Sequence, residues 1–246
     1  MTEPAPAQSA VETRGLSKHF GAVAALNRVD LNVAPAEALV VFGPNGAGKT
    51  TLIRILTLSL RAGGGTLRVA GLDPATDHLE IRRRIGLISH QSLLYDQLSA
   101  LENLAFFARL YGVDEPDRRA HELLDTIGLD HRADDPVGTL SRGMQQRVSI
   151  ARALVHDPPV VFLDEPFTGL DPLAAAMLRS TLDGLRTRGR TVLLVTHNLR
   201  QGLELSDRWM LLARGRVIDR GVSSETDPAL FERDYFSRFS RSGAVA

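Results

Sequence analysis

Cysteine is missing altogether from the 246-residue chain, so disulfides and thiolate metal sites are excluded, a composition that suits a reducing compartment. Net charge is missing too. Lys+Arg 29 balance Asp+Glu 29, so neither nucleic acid nor an anionic membrane surface is implied, and no nucleic-acid partner is expected. No apolar run approaches the ~20 residues needed to cross a bilayer, so work at a membrane requires another chain to hold this one there. Residues 1–10 are rich in Pro and Ala and carry neither a basic start nor an apolar stretch, so they read as a disordered tail, not a signal peptide. His19, His78, His90, His121, His131 and His156 lack metal-ligand spacing. What is present is an apolar fraction of 43%, enough for the core of one large domain, or of one domain carrying an insertion.

The apolar run Leu39-Val40-Val41-Phe42 is followed by Gly43-Pro44-Asn45-Gly46-Ala47-Gly48-Lys49-Thr50-Thr51 and then by the helical pattern Leu52 to Leu56. Strand, glycine-rich loop and helix start make a phosphate-binding loop. Glycines let the backbone curl so that successive N–H groups point at phosphate oxygens, and the helix N-terminus adds its partial positive charge. In this motif Lys49 reaches the β- and γ-phosphates of a nucleotide and the Thr50 hydroxyl ligates the accompanying Mg²⁺.

Strand-like and helix-like segments alternate, which predicts an α/β fold with a mostly parallel sheet. Val11 to Leu16, Leu26 to Val33 and Thr66 to Val69 instead alternate in period two with no helices between them, as expected of a small antiparallel sheet. Ser99-Ala100-Leu101-Glu102 is a capping box that opens a helix through Tyr111. Further helices are expected over Asp114 to Ile127, stopped by Gly128, and over Ser141 to about His156. Residues 92–157 thus read as a helical insertion in a nucleotide-binding core that spans 11–222, with a C-terminal helix and tail over 223–246. The core resumes with the strand Val160 to Leu163, a helix from Asp171-Pro172 to Arg188 and the strand Thr191 to Val195. Trp209 to Ala213 and Arg216 to Arg220 read as a terminal hairpin.

Val160-Val161-Phe162-Leu163 ends in Asp164-Glu165. A buried strand that ends in two carboxylates calls for a partner, because burying unpaired charge is strongly unfavourable. Mg²⁺ supplies it: Asp164 binds the ion through its water shell, and Glu165 polarises a water for attack on the γ-phosphate. Read alone, the pair also suits an exposed turn before Pro166.

Gln91, the segment Leu140-Ser141-Arg142-Gly143-Met144-Gln145-Gln146-Arg147, Gly169-Leu170-Asp171 and Thr196-His197 follow in an order and spacing that resembles the ATP-binding cassette ATPases, over about Val11 to Gly221. The resemblance implies a P-loop NTPase fold: a RecA-like core, an antiparallel β subdomain and an inserted α-helical subdomain. It also implies ATP and Mg²⁺ as cofactors and a dimer, with a second copy or a related cassette. In that dimer the P-loop of one subunit and the signature segment of the other enclose each ATP. Carried over residue by residue, Phe20 stacks on adenine, Gln91 touches Mg²⁺ and the attacking water, and His197 contacts the γ-phosphate. Ser141 and Gly143 meet the γ-phosphate held by the partner, and Asp171 lies at the dimer seam. His197 also ends a strand where phosphate-binding groups of open α/β sheets collect. The bland alternative for Phe20 is ordinary core, since a single aromatic before a glycine is common in strands.

The signature departs from the family's usual L-S-G-G-Q, with Arg142 for the first Gly and Met144 for Gln. Met144 forfeits the reciprocal half of a capping box with Ser141. Two readings stay open. One is the energising subunit of a membrane transporter, at the cytoplasmic face of the cell membrane and bound to integral permease subunits. The other is a soluble cassette ATPase of the kind that serves iron-sulfur cluster assembly. Leu94, Tyr95, Leu98, Phe106 and Phe107 lie where family transporters receive the coupling helices of the membrane partner, and internal packing explains several of them equally well. Ser89 to Val113 and Leu140 to Pro158 most resemble the ATPase of the haem exporter used in cytochrome c maturation.

Overall fold

A computed structural model describes residues 9–89 and 92–240. In chain order its elements are β1 (Val11–Phe20), β2 (Val23–Val33), β3 (Ala38–Phe42), α1 (Lys49–Leu56), β4 (Gly64–Val69), α2 (His78–Arg84), β5 (Ile85–Ser89), α3 (Ala100–Tyr111), α4 (Pro116–Thr126), α5 (Arg142–Ala153), β6 (Val160–Asp164), α6 (Pro172–Thr187), β7 (Thr191–Val195), α7 (Leu199–Glu204), β8 (Arg208–Ala213), β9 (Arg216–Val222) and α8 (Pro228–Ser240). They fall into two compact units: Met1–Ile85, Pro159–Glu165 and Leu185–Ala246 form one, Gly86–Pro158 and Pro166–Gly184 the other. β5 and α6 each straddle a boundary.

In the first unit every residue of β3, β6 and β7 is buried, so these strands read as continuous apolar runs. That is the signature of a parallel sheet covered on both faces. β6-β7-β3-β8 are parallel neighbours in that order, and β9 closes the edge antiparallel to β8. The carboxyl ends of β3, β6 and β7 therefore share one edge, which is where open α/β sheets bind ligands. The first unit also holds an antiparallel sheet in the order β2-β1-β4. There Val11 and Thr13 are buried while Arg14 is exposed, the alternation expected of a sheet with one wet face. Helix α8 covers the parallel sheet with aromatic rings. Phe231, half-buried, lies 5.5 Å from Phe42 and 4.6 Å from Trp209 between ring centroids, and Tyr235 and Phe239 are buried.

In the second unit α3, α4 and α5 enclose a core that includes Leu104, Ala108, Leu124, Val137 and Val148. α3 opens on Ser99 with its capping box formed and closes at Gly112 in the left-handed conformation. Asn103 is fully buried inside this unit. Its amide donates to the carbonyls of Tyr95 (3.0 Å) and Ser99 (2.9 Å), and its oxygen accepts from the Tyr95 N–H (2.8 Å). One side chain thereby satisfies a loop that has no ladder of its own.

Candidate functional site: the phosphate-binding loop and its carboxylates

β3 delivers the chain at Phe42 into a loop that is walled by backbone. At Gly43 the carbonyl of Leu212 fills the space of a Cβ, and at Gly48, with φ +105°, the carbonyl of Ala25 does the same. No side chain fits at either place. The loop is also braced from behind: the Gly215 N–H donates to Ala47 O (2.9 Å), and the Asn27 N–H donates to Gly215 O (2.8 Å). Inside it, Pro44 O accepts from the Ala47 N–H (3.1 Å), Asn45 and Gly46 are exposed, and Gly46 has φ +76°. Lys49 and Thr50 open α1, Thr50 exposed and Thr51 half-buried. Lys49 is buried to 7% exposure, and its ammonium donates to Gly43 O (2.6 Å) and Pro44 O (3.1 Å). Burial holds its pKa below the ordinary lysine value, opposed by the charges of Glu165 and Asp164.

Asp164, at 5% exposure, ends β6 beside Val195 of β7. The next residue turns sharply. Glu165 has φ +49°, a left-handed conformation that costs a non-glycine residue about 1–3 kcal/mol in sparsely populated cases and collects at functional sites. The turn has a visible result: its N–H donates to Val195 O (2.9 Å), and its Oε2 lies 2.8 Å from Nδ1 of the exposed His197. The two groups hold each other's orientation, and the carboxylate keeps one oxygen for other work. The local donor set is oxygen-rich, with a buried Asp164, the Thr50 hydroxyl and no group of three His, Cys, Asp or Glu among the described residues. Such a set fits Mg²⁺, which takes one or two carboxylates and leaves its other positions to water and substrate phosphates. Gln91 lies outside the described residues.

The signature segment belongs to the second unit. Ser141 is the N-cap of α5, and its Oγ accepts from the Met144 N–H at 3.3 Å. Ser141 and Arg142 are exposed, while Gly143 is half-buried.

A family model described as ABC transporter matches residues 26–168, more than half of the chain. The chain belongs to the ABC transporter family. This ABC ATPase is 39% identical to the daunorubicin resistance ATP-binding protein DrrA3 of Streptomyces coeruleorubidus, over 89% of this chain and 70% of that protein. It is 37% identical to the glutamine transport ATP-binding protein GlnQ of Escherichia coli, over 86% of this chain and 90% of that protein. Among solved structures, the dimeric post-hydrolysis state of the ATP-binding cassette MJ0796 bound to ADP and Pi matches with a TM-score of 0.78. Its identity is 30%, and the match covers 87% of this chain and 98% of that one. The fold is the ABC ATPase fold, and the reaction is Mg²⁺-dependent hydrolysis of ATP to ADP and phosphate.

Within the first unit the structure brings Lys49, Asp164, Glu165 and His197 of the ABC ATPase to one sheet edge. Phe20 stands at the tip of the β1–β2 hairpin, 48% exposed, with the Lys18 ammonium 5.5 Å from its ring centroid. The alternative of an ordinary core residue is thereby corrected: a hairpin tip has no second layer to bury a ring. The sequence reading passed over Asn103, because a lone Asn in a helical pattern gives no sign of whether it faces water or a loop. It also passed over Asn198, whose Oδ1 caps α7 by accepting from the Gln201 N–H (3.1 Å) just after His197. There the signal was present, in an Asn ahead of an apolar residue.

Proposed function

We propose that this ABC ATPase is the ATP-hydrolysing subunit of a membrane exporter, working as two cassettes at the cytoplasmic face of the membrane beneath integral permease subunits. The observation that carries the catalytic part is the turned Glu165, bonded to His197 at the edge that also carries Lys49. In this reading Glu165 is the general base that takes a proton from the attacking water, and His197 aligns it and contacts the γ-phosphate. Gly43 to Thr51 wrap the phosphates, Lys49 neutralises charge on the β- and γ-oxygens, and Phe20 offers its exposed face to adenine. Asp164, Thr50 and Gln91 hold Mg²⁺, which when bound neutralises charge on the phosphate oxygens. Ser141 and Gly143 receive the γ-phosphate of the ATP held by the partner cassette, and Asp171 lies at that seam.

Transport is supported by the family, by relatives named for drug resistance and glutamine transport, and by an exposed aromatic group on the second unit. Tyr95, Phe106 and Phe107 pack on one another with centroids 5.3 to 6.2 Å apart, and Tyr95 and Phe106 remain 48% and 40% exposed. That surface suits a short membrane-partner helix. No helix among the described residues is long and apolar enough to cross a membrane, so the partner supplies the span. The narrower haem-export reading rests on Ser89 to Val113 and Leu140 to Pro158. The drug-resistance and glutamine-transport relatives lend it no support, and cargo is assigned here to the permease.

The test is Glu165→Gln. Hydrolysis stops, ATP stays bound, and sedimentation shows an ATP-dependent dimer. Hydrolysis at the parent rate removes Glu165 as the base. Co-expression with candidate permeases then separates the two function classes: a cassette that fractionates with membranes only alongside a permease is a transporter subunit, and one that stays in the soluble fraction throughout is not.

A further inference from the structure

In the second unit Gly143 has an unusual neighbour. The space that a Cβ would occupy is taken by the carboxylate of Asp171, chiefly its Oδ2. The other oxygen, Oδ1, accepts from the Ala174 N–H at 2.8 Å and so caps the start of α6. One carboxylate thus lies against the first turns of both α5 and α6, where the positive ends of two helix dipoles favour negative charge. We infer that Asp171 is a positioning residue for hydrolysis, clamping the start of the signature helix α5 to the start of α6, and that Gly143 is glycine because of this contact within its own chain. The inference rests on the reading of α5 as the segment that meets the partner's γ-phosphate. Asp171 follows the catalytic carboxylate by six residues, through Gly169 at φ +75°. A shift of α5 against the clamp is therefore felt on the peptide that leaves Glu165.

Helix propensity and this contact make opposite predictions for Gly143→Ala. Ala is the better helix former, and Gly143 is not among the residues with positive φ, so propensity alone raises stability. The contact lowers it, since a methyl collides with the Asp171 carboxylate, and turning that carboxylate away breaks its bond to the Ala174 N–H. The experiment is a double-mutant cycle over Gly143→Ala, Asp171→Ala and the pair, read in Tm of the nucleotide-free protein, in ATP affinity, and in kcat and KM. Gly143→Ala lowers Tm by several degrees and kcat by roughly tenfold or more, with ATP affinity unchanged. In the Asp171→Ala background the same substitution raises Tm and leaves kcat at the value of Asp171→Ala alone. Asp171→Asn, which keeps the volume and the Oδ1 acceptor, gives no such rescue. Losses that simply add in Tm and multiply in kcat overturn the inference. Rescue of Tm without rescue of kcat overturns the positioning role. If Gly143→Ala is insoluble, a soluble pair supports the clamp and an insoluble pair defeats it. The Tm cycle needs no hydrolysis, whereas failure of the two-cassette reading shows separately, as a parent rate strictly proportional to protein concentration.

Discussion

Helices α3 and α5 both begin at a serine cap in the second unit, and they treat their first N–H groups in opposite ways. At α3 all four are taken: Ala100 donates to Asp135 O, Leu101 to Ala133 O, Glu102 to Ser99 Oγ and Asn103 to Ser99 O. Glu102 then accepts from the Ser99 N–H at 2.7 Å, and Ser99 is buried at 7% exposure. At α5 the Met144 and Gln145 N–H groups bond to Ser141, but among the described residues those of Arg142 and Gly143 find no protein acceptor. Ser141 and Arg142 are exposed there, while Gly143 and Met144 are half-buried. A sealed start serves the fold. An open one is suited to an anion from outside.

The contrast breaks most plainly at Ser141→Arg. A long cation across the open start abolishes hydrolysis, by at least about a hundredfold, while ATP binding to the isolated subunit stays intact in a direct titration. An active Ser141→Arg enzyme means that one cassette works alone. Next in size is Lys49→Ala in the first unit, which tests whether ATP is held there and not at α5. Losing its charge-assisted contact of about 1.5–3 kcal/mol weakens ATP binding roughly ten- to hundredfold. Unchanged binding by calorimetry defeats the phosphate-loop assignment.

A direct comparison uses two alanines. Ser99→Ala costs about 1–2 kcal/mol in chemical denaturation, because it strands buried groups, and leaves hydrolysis by the folded fraction near normal. Ser141→Ala costs less, about 0.5 kcal/mol, since water replaces the lost acceptor, yet it lowers kcat. Equal stability losses at the two sites erase the distinction. The smallest effect is expected from Arg142→Gly with Met144→Gln, which rebuilds a capping box at α5. ATP-driven dimerisation in the Glu165→Gln background strengthens by a factor of a few if capping governs, and weakens if Arg142 contacts phosphate.

The sequence carried the devices whose chemistry is local. The glycine spacing before Lys49, the strand ending at Asp164-Glu165 and the Ser99–Glu102 box all depend on neighbours within a few residues, and each appears in the structure. What it hid depends on distant chain. β1 runs on to Phe20, beyond the expected Leu16, because register shifts after Thr13 and Leu16 break the period of two while pairing continues. The six residues of α7 are too few to show a helical period. The turn at Glu165 and the placing of Asp171 against Gly143 arise from partners that no spacing rule connects.

Helix α8 bears on how this protein is to be handled at the bench. The hairpin's end at Val222 invites a shortened version that stops there, yet Phe231 lies beyond it against Phe42 of the strand that launches the phosphate loop, and Tyr235 and Phe239 are buried further along α8. Trimming at Val222 lays Phe42 and Trp209 open to water, and the product should clump during purification. A shortened version keeps the chain through Phe239, the last of these rings in the sequence.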